Sequence, residues 1–418
     1  MLTLHRRLLL FVATLLFSVA IPSFAHAANY TVCARLTTSF ENVGGGEDYI
    51  IDADGPYSAM YQKVLIMRSG IVYANSYLSD TGCITFSSAY SNNYDVHFFS
   101  EVRVPRTDNA AQTNIGKITD SSGTRASWYW NHTFTGTSKT FDIPSAWPTN
   151  LVVATRQSMF RFSNGISGKT FLVKDQACPT DSSNSCNDGT YSSNTATIYM
   201  HPDHNSRKYA IAHELAHGLI AHYFSGNPWP AEAGDTYDLN SGGASCEWSG
   251  AGAHAMHSME YAAAGVLEGF PQFYATYVFN SEASTDAHFY YYKDGTGVTD
   301  VDMEAGPTGG ATAFMDTTCS GTFTGKGCEL DWARQFWDYR TNSGTKPSNL
   351  AIMYHLRTGL NTPSVWHTSV NNPSGGDYDN TVNRVNYGLA NYDAAFGTGF
   401  EARWANTDDT NGINHPDP

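Results

Sequence analysis

The sequence predicts a mixed α+β protein, and three features carry that reading. Short alternating segments separated by turn residues fill the first third of the chain. Beyond residue 150 the order becomes strand, strand, helix, and segments with helical spacing then dominate toward the C-terminus. The apolar content of 41% is high enough for packed cores rather than a disordered chain.

The first residues read as a secretory signal. Arg6 and Arg7 precede an apolar run from Leu8 to Ile21, and Ala25-His26-Ala27 supplies the small residues of a cleavage site. The run is short for a membrane span, and no later stretch approaches the required length. Residues 1–27 are therefore expected to be removed on secretion, to the periplasm or the outside of the cell. They take away two arginines and no acid. The remainder holds 22 Lys plus Arg against 39 Asp plus Glu, a formal charge of −17. Such an acidic surface argues against nucleic acid or an anionic membrane as partner.

From Tyr30 to about Ile143 the expected strands are Tyr30–Leu36, Lys63–Met67, Cys83–Phe86 and Tyr94–Phe99, with turns at Gly44-Gly45-Gly46 and Ser79–Gly82. Strands at this spacing suggest a β-sandwich over residues 28–150, accessory in role because no catalytic constellation lies within it. The boundary is placed near Asn150, after the change of texture at Pro144–Pro148. Lys169–Val173 and Thr195–Met200 are the next strands, with a polar loop between Cys178 and Ser193. Asn205 or Ser206 can cap a helix from Lys208 through Tyr223. Further helices are expected at Met259–Phe279, Leu330–Tyr339, Asn349–Thr358 and Val385–Phe396, before a polar, flexible tail at 406–418.

Seven cysteines in an oxidising compartment imply disulfides. Neighbours in sequence suggest Cys178 with Cys186, Cys319 with Cys328 and Cys33 with Cys83, leaving Cys246 over, although spacing alone does not fix connectivity. Asn29 and Asn131 head sequons for N-glycosylation.

The segment that carries chemistry is His213-Glu214-Leu215-Ala216-His217. Two histidines four apart share one helical face, so both imidazoles can reach a single ion, and a glutamate beside them can take a proton from a water. Zinc suits this set because imidazole and carboxylate fill three positions and leave a fourth open. Apolar neighbours (Ile211, Leu215, Leu219, Ile220) mark the helix as buried, and burying two histidines and a glutamate without a partner is costly. His222 lies about 140° round the helix from His217 and is not expected to be a ligand. The third ligand must come from elsewhere in the chain.

His213-Glu214-Leu215-Ala216-His217-Gly218, followed by a downstream helix with Glu268-Gly269-Phe270, resembles the gluzincin metallopeptidases, the clan of thermolysin and fungalysin. The resemblance implies a zincin-like catalytic domain over residues 151–405 with a helical C-terminal part. It implies zinc held by His213, His217 and Glu268, with Glu214 as general base in peptide-bond hydrolysis. It makes Thr195–Met200 the edge strand that receives an extended peptide. Glu260 is second choice as ligand, on the same expected helix, and Asp235 or Asp238 third. His254, His257, Tyr261, Tyr354, His355 and His367 are the candidates for an oxyanion donor. The likeness is local. The interval from His217 to Glu268 is longer than usual in the clan, the acid expected four residues after the ligand is Gln272, and Pro271 would kink the helix there. Two rival readings stay open: a zinc-dependent hydrolase of a non-peptide substrate, and a secreted binding protein with an inactive zincin domain.

Overall fold

A computed structural model describes residues 27–40, 56–106, 110–161, 167–192, 194–223, 256, 259–283, 287–290, 300–303, 326–342, 344–349, 351–353, 396, 399–400 and 402–404. It is a mixed α+β structure with several sheets.

Among the described residues, nine strands precede the first helix: β1 (Ala28–Leu36), β2 (Tyr57–Ser58), β3 (Gln62–Arg68), β4 (Ile71–Tyr77), β5 (Cys83–Ser88), β6 (Tyr94–Pro105), β7 (Thr113–Asp120), β8 (Ser127–His132) and β9 (Ser138–Ile143). All four strands expected in this region are among them. The β3–β4 hairpin turns on Ser69 and Gly70, both at positive φ (50° and 79°), the twist-matched two-residue turn that favours glycine. β1 pairs with β2, β5 and β9 in a four-stranded sheet, where Cys33 and Cys83 face each other and are disulfide-bonded.

The second sheet is larger. After helix α1 (Trp147–Arg161) come β10 (Thr170–Asp175), β11 (Cys186–Ser192) and β12 (Thr195–Met200), and the sheet order is β11-β12-β10-β7-β6-β3-β4 with β8 on β6. The large sheet thus draws strands from both sides of residue 150, which itself lies inside α1. Two elements cover the part of its inner face formed by β6 and β7. The four-stranded sheet packs on one part of β6, with Phe86 5.2 Å from Tyr94 and Phe141 5.8 Å from Phe98, ring centre to ring centre. Beyond Phe98, α1 packs on β6 and β7.

Sequence reasoning missed α1 because it lacks an apolar stripe. Leu151, Val152, Val153 and Ala154 are all buried, and so are Thr149, Asn150, Thr155, Arg156, Gln157 and Ser158 on the remaining faces. A helix enclosed on every side has no amphipathic period to read. Its last residue, Arg161, donates to the carbonyls of Tyr277 (3.1 Å) and Asn280 (3.2 Å), closing the end of a later helix.

Helix α2 (Lys208–Tyr223) has the bounds expected of it and lies on β12 and β11. Strand β13 (Met259–Tyr261) leads into α3 (Ala262–Phe279). The hairpin partners β14 (His288–Tyr290) and β15 (Asp300–Asp302) follow, then β16 (Lys326–Cys328), paired with β13, and α4 (Glu329–Thr341). The helix expected from Met259 therefore begins three residues later. α3 runs through Pro271 to the expected end at Phe279, and packs between α2 and α4. Residues 351–353 are helical, whereas the rest of the Asn349–Thr358 and Val385–Phe396 expectations, and residues 406–418, lie largely or wholly outside the described residues. No described helix is long and apolar enough to cross a membrane.

The cysteine pairing needs one correction. Cys178–Cys186 is formed as expected, but Cys328 is a free thiol, 1% exposed, whose Sγ donates to the Met256 carbonyl at 3.1 Å. Burial raises its pKa well above that of an ordinary thiol. Cys328 belongs to the buried core and is not in the bond to Cys319 that spacing suggested; Cys246 and Cys319 lie outside the described residues.

His222 shows how tightly α2 is packed on the sheet. Its Nε2 donates to the Thr170 carbonyl at 3.0 Å, and burial lowers its pKa to about 4. The unfolded chain binds a proton at a normal histidine value near 6.5 while the folded state stays neutral, so stability present above that pH is lost as pH falls toward 4. Urea unfolding should show the wild type losing up to about 3 kcal/mol relative to His222→Gln across that window. A difference constant with pH would contradict this account of His222.

Candidate metal centre

β12 ends at Met200, a short turn at Pro202–His204 follows, and α2 then runs back across the sheet. Its Ile211, Leu215 and Leu219 are buried, which fixes its rotation and turns His213 and His217 away from the sheet toward α3. Gly218 allows the close approach, because a Cβ there would stand 3.1 Å from Ile198 Cδ1.

Three side-chain atoms meet between α2 and α3. The Nε2 atoms of His213 and His217 are 3.1 Å apart, and Glu268 Oε2 is 3.1 Å from the first and 3.4 Å from the second. The two imidazole rings stand 77° to each other with centres 4.8 Å apart, so their nitrogens converge rather than stack. His213 is 2% and Glu268 5% exposed, and the His217 side chain, at 12%, lies nearest to solvent.

This donor set fits a divalent cation. A circle through the three atoms has a radius of about 1.9 Å, so one point can lie about 2.0–2.2 Å from all of them, the reach of zinc to imidazole and carboxylate. A proton can join one pair of these lone pairs, while a cation serves all three. Among the described residues, His213, His217 and Glu268 are the one group of three or more His, Cys, Asp or Glu close enough to hold an ion. Glu214 is buried, 4% exposed, and is not one of the three converging donors.

Other expected residues fall elsewhere. Glu260, the second-choice ligand, is in β13 opposite Gly327 rather than on the helix with Glu268, because pairing with β16 holds that segment extended. Tyr261 is in the same strand. Asp235, Asp238, His254, His257, Tyr354, His355 and His367 lie outside the described residues. The expectation that β12 is the edge strand is overturned: β11 pairs with it antiparallel and, among the described residues, forms the edge on that side. β11 escaped sequence reasoning because its Cys186-Asn187-Asp188-Gly189-Thr190 start is polar and reads as loop.

The seat of Glu268 also went unread. A Cβ on Gly269 would meet Trp332 Cβ at 2.5 Å and the Glu329 carbonyl oxygen at 2.8 Å, so glycine is what lets α3 lie directly on α4. Beside it, Gln272 Nε2 donates to Glu329 Oε2 at 3.2 Å, with both residues 0% exposed. The only sequence signal for Glu329 is an acidic first turn, a common helix feature.

No protein-family model matches the chain, and no curated protein matches its sequence.

Gly269→Ala should destabilise the fold by roughly 1–3 kcal/mol in urea unfolding, because backbone must give way. Unchanged stability would contradict the close seat.

Proposed function

We propose that the chain is a secreted zinc-dependent metallopeptidase of zincin type, with His213, His217 and Glu268 as ligands and Glu214 as general base. The observation that carries this reading is the meeting of two imidazole nitrogens and a carboxylate oxygen within 3.1–3.4 Å, beside a glutamate in the His-Glu-x-x-His frame. Two disulfides suit the oxidising compartment that the N-terminal signal implies.

Zinc bound there would supply Lewis acidity, activating water near neutral pH and polarising a carbonyl. The protein's own part is positional and protolytic. His213 and His217 present their Nε2 atoms from consecutive turns of a packed helix, which keeps the ligands in place without reorganisation. Glu214 accepts a proton from the attacking water and returns it to the leaving amine, so one carboxylate serves both half-steps. On this reading an extended peptide pairs with backbone groups at the β11 edge of the large sheet.

Glu214→Gln should retain metal while peptide hydrolysis falls by about 10²–10⁴-fold, and His217→Ala should lose both. Metal analysis beside a peptide-cleavage assay separates these outcomes. Full hydrolysis by Glu214→Gln would end the proposed mechanism. Chelator-sensitive turnover of non-peptide esters or amides alone would move the assignment to another hydrolase class.

A further inference from the structure

We infer that Glu329 is a positioning residue for the ligand Glu268, acting through Gln272. The inference rests on the metal-centre reading and adds to it a device that holds the third ligand.

The helical turn that bears Glu268 is weakened from within. Pro271 has no N–H, so the backbone bond that residue 271 would normally make to the Leu267 carbonyl cannot form. The missing bond brackets Glu268. A carboxylate on such a turn can shift by an ångström at little cost, and a shift of that size spoils three-point convergence on an ion.

Support for this turn comes from α4. Gly269, next to the ligand, seats its backbone on Trp332, Ala333 and the Glu329 carbonyl. Gln272, one turn beyond Glu268 on the same helix face, donates from Nε2 to Glu329 Oε2 at 3.2 Å. Both partners are fully buried, so neither can exchange this bond for one to water, and breaking it from one side leaves a buried polar group without it. Phe336 of α4 packs on Phe270 (5.6 Å) and Phe273 (5.7 Å), extending the contact on both sides of Pro271. The first turn of α4 thus supplies from outside the rigidity that proline removes from α3. α4 is anchored in turn by the Leu330 N–H, which donates to the Met256 carbonyl at 2.9 Å.

The test is a cobalt(II) titration of the full-length secreted protein, followed by visible absorption with a competing chelator. Melting of the metal-free protein is measured in parallel. Gln272→Met, which keeps the side-chain volume, and Glu329→Ala should each weaken cobalt binding by about 10–100-fold. Their double variant should be little weaker than either single one. Glu329→Gln keeps an acceptor for Gln272 and should restore affinity to within about threefold of wild type. A merely structural role would lower the melting temperature and leave the affinity and spectrum of the folded protein unchanged. Folded Gln272→Met with wild-type cobalt affinity overturns the inference, as does Glu329→Gln binding as weakly as Glu329→Ala. Wild-type protein that binds no cobalt through His213 and His217 overturns the metal centre itself, a result distinct from either.

Discussion

Two imidazole nitrogens and a carboxylate oxygen are held within 3.1–3.4 Å of one another in a largely buried space, and the helical half of the structure is arranged around that fact. Desolvating a carboxylate and two imidazoles costs several kcal/mol unless a counter-charge offsets it. A divalent cation is the economical counter-charge, because it satisfies three lone pairs at once. The same desolvation strengthens the field such an ion would exert on a bound carbonyl.

Holding the triad requires two helices fixed to within a fraction of an ångström, and the large sheet provides the base. α2 lies on β12 and β11 through an almost wholly apolar face, while α3 is wedged between α2 and α4. Arg161 at the end of α1 closes the C-terminal carbonyls of α3, so the helix is tied at its end as well as at its ligand turn. Since α1 also packs on β6 and β7, the N-terminal strands share one continuous core with α2 and α3.

The legible part of this architecture was the part with strong local rules. The convergence of His213 and His217 was legible from a helical spacing that chemistry constrains, and the bounds of α2 followed from its apolar run. β1, β3, β5, β6, β10 and β12 showed alternation or β-branched runs that survive tertiary context. What escaped was decided by non-local contacts. α1 is enclosed on every side, so its polar residues hid it. β11 is strand only because β12 offers it an edge. Glu260 is extended because β16 pairs with it, a partner 67 residues away in the chain. Cys328 is a free thiol within the core, and spacing carries no information about that burial. The Gln272–Glu329 bond spans 57 residues and leaves no local trace.

The most direct test of the central claim is X-ray absorption at the zinc edge of the purified, metal-loaded protein. The account predicts a nitrogen and oxygen first shell at about 2.0–2.1 Å, with the outer-shell scattering of two imidazoles. A sulfur shell near about 2.3 Å, or a spectrum lacking imidazole scattering, would place the metal elsewhere and contradict it.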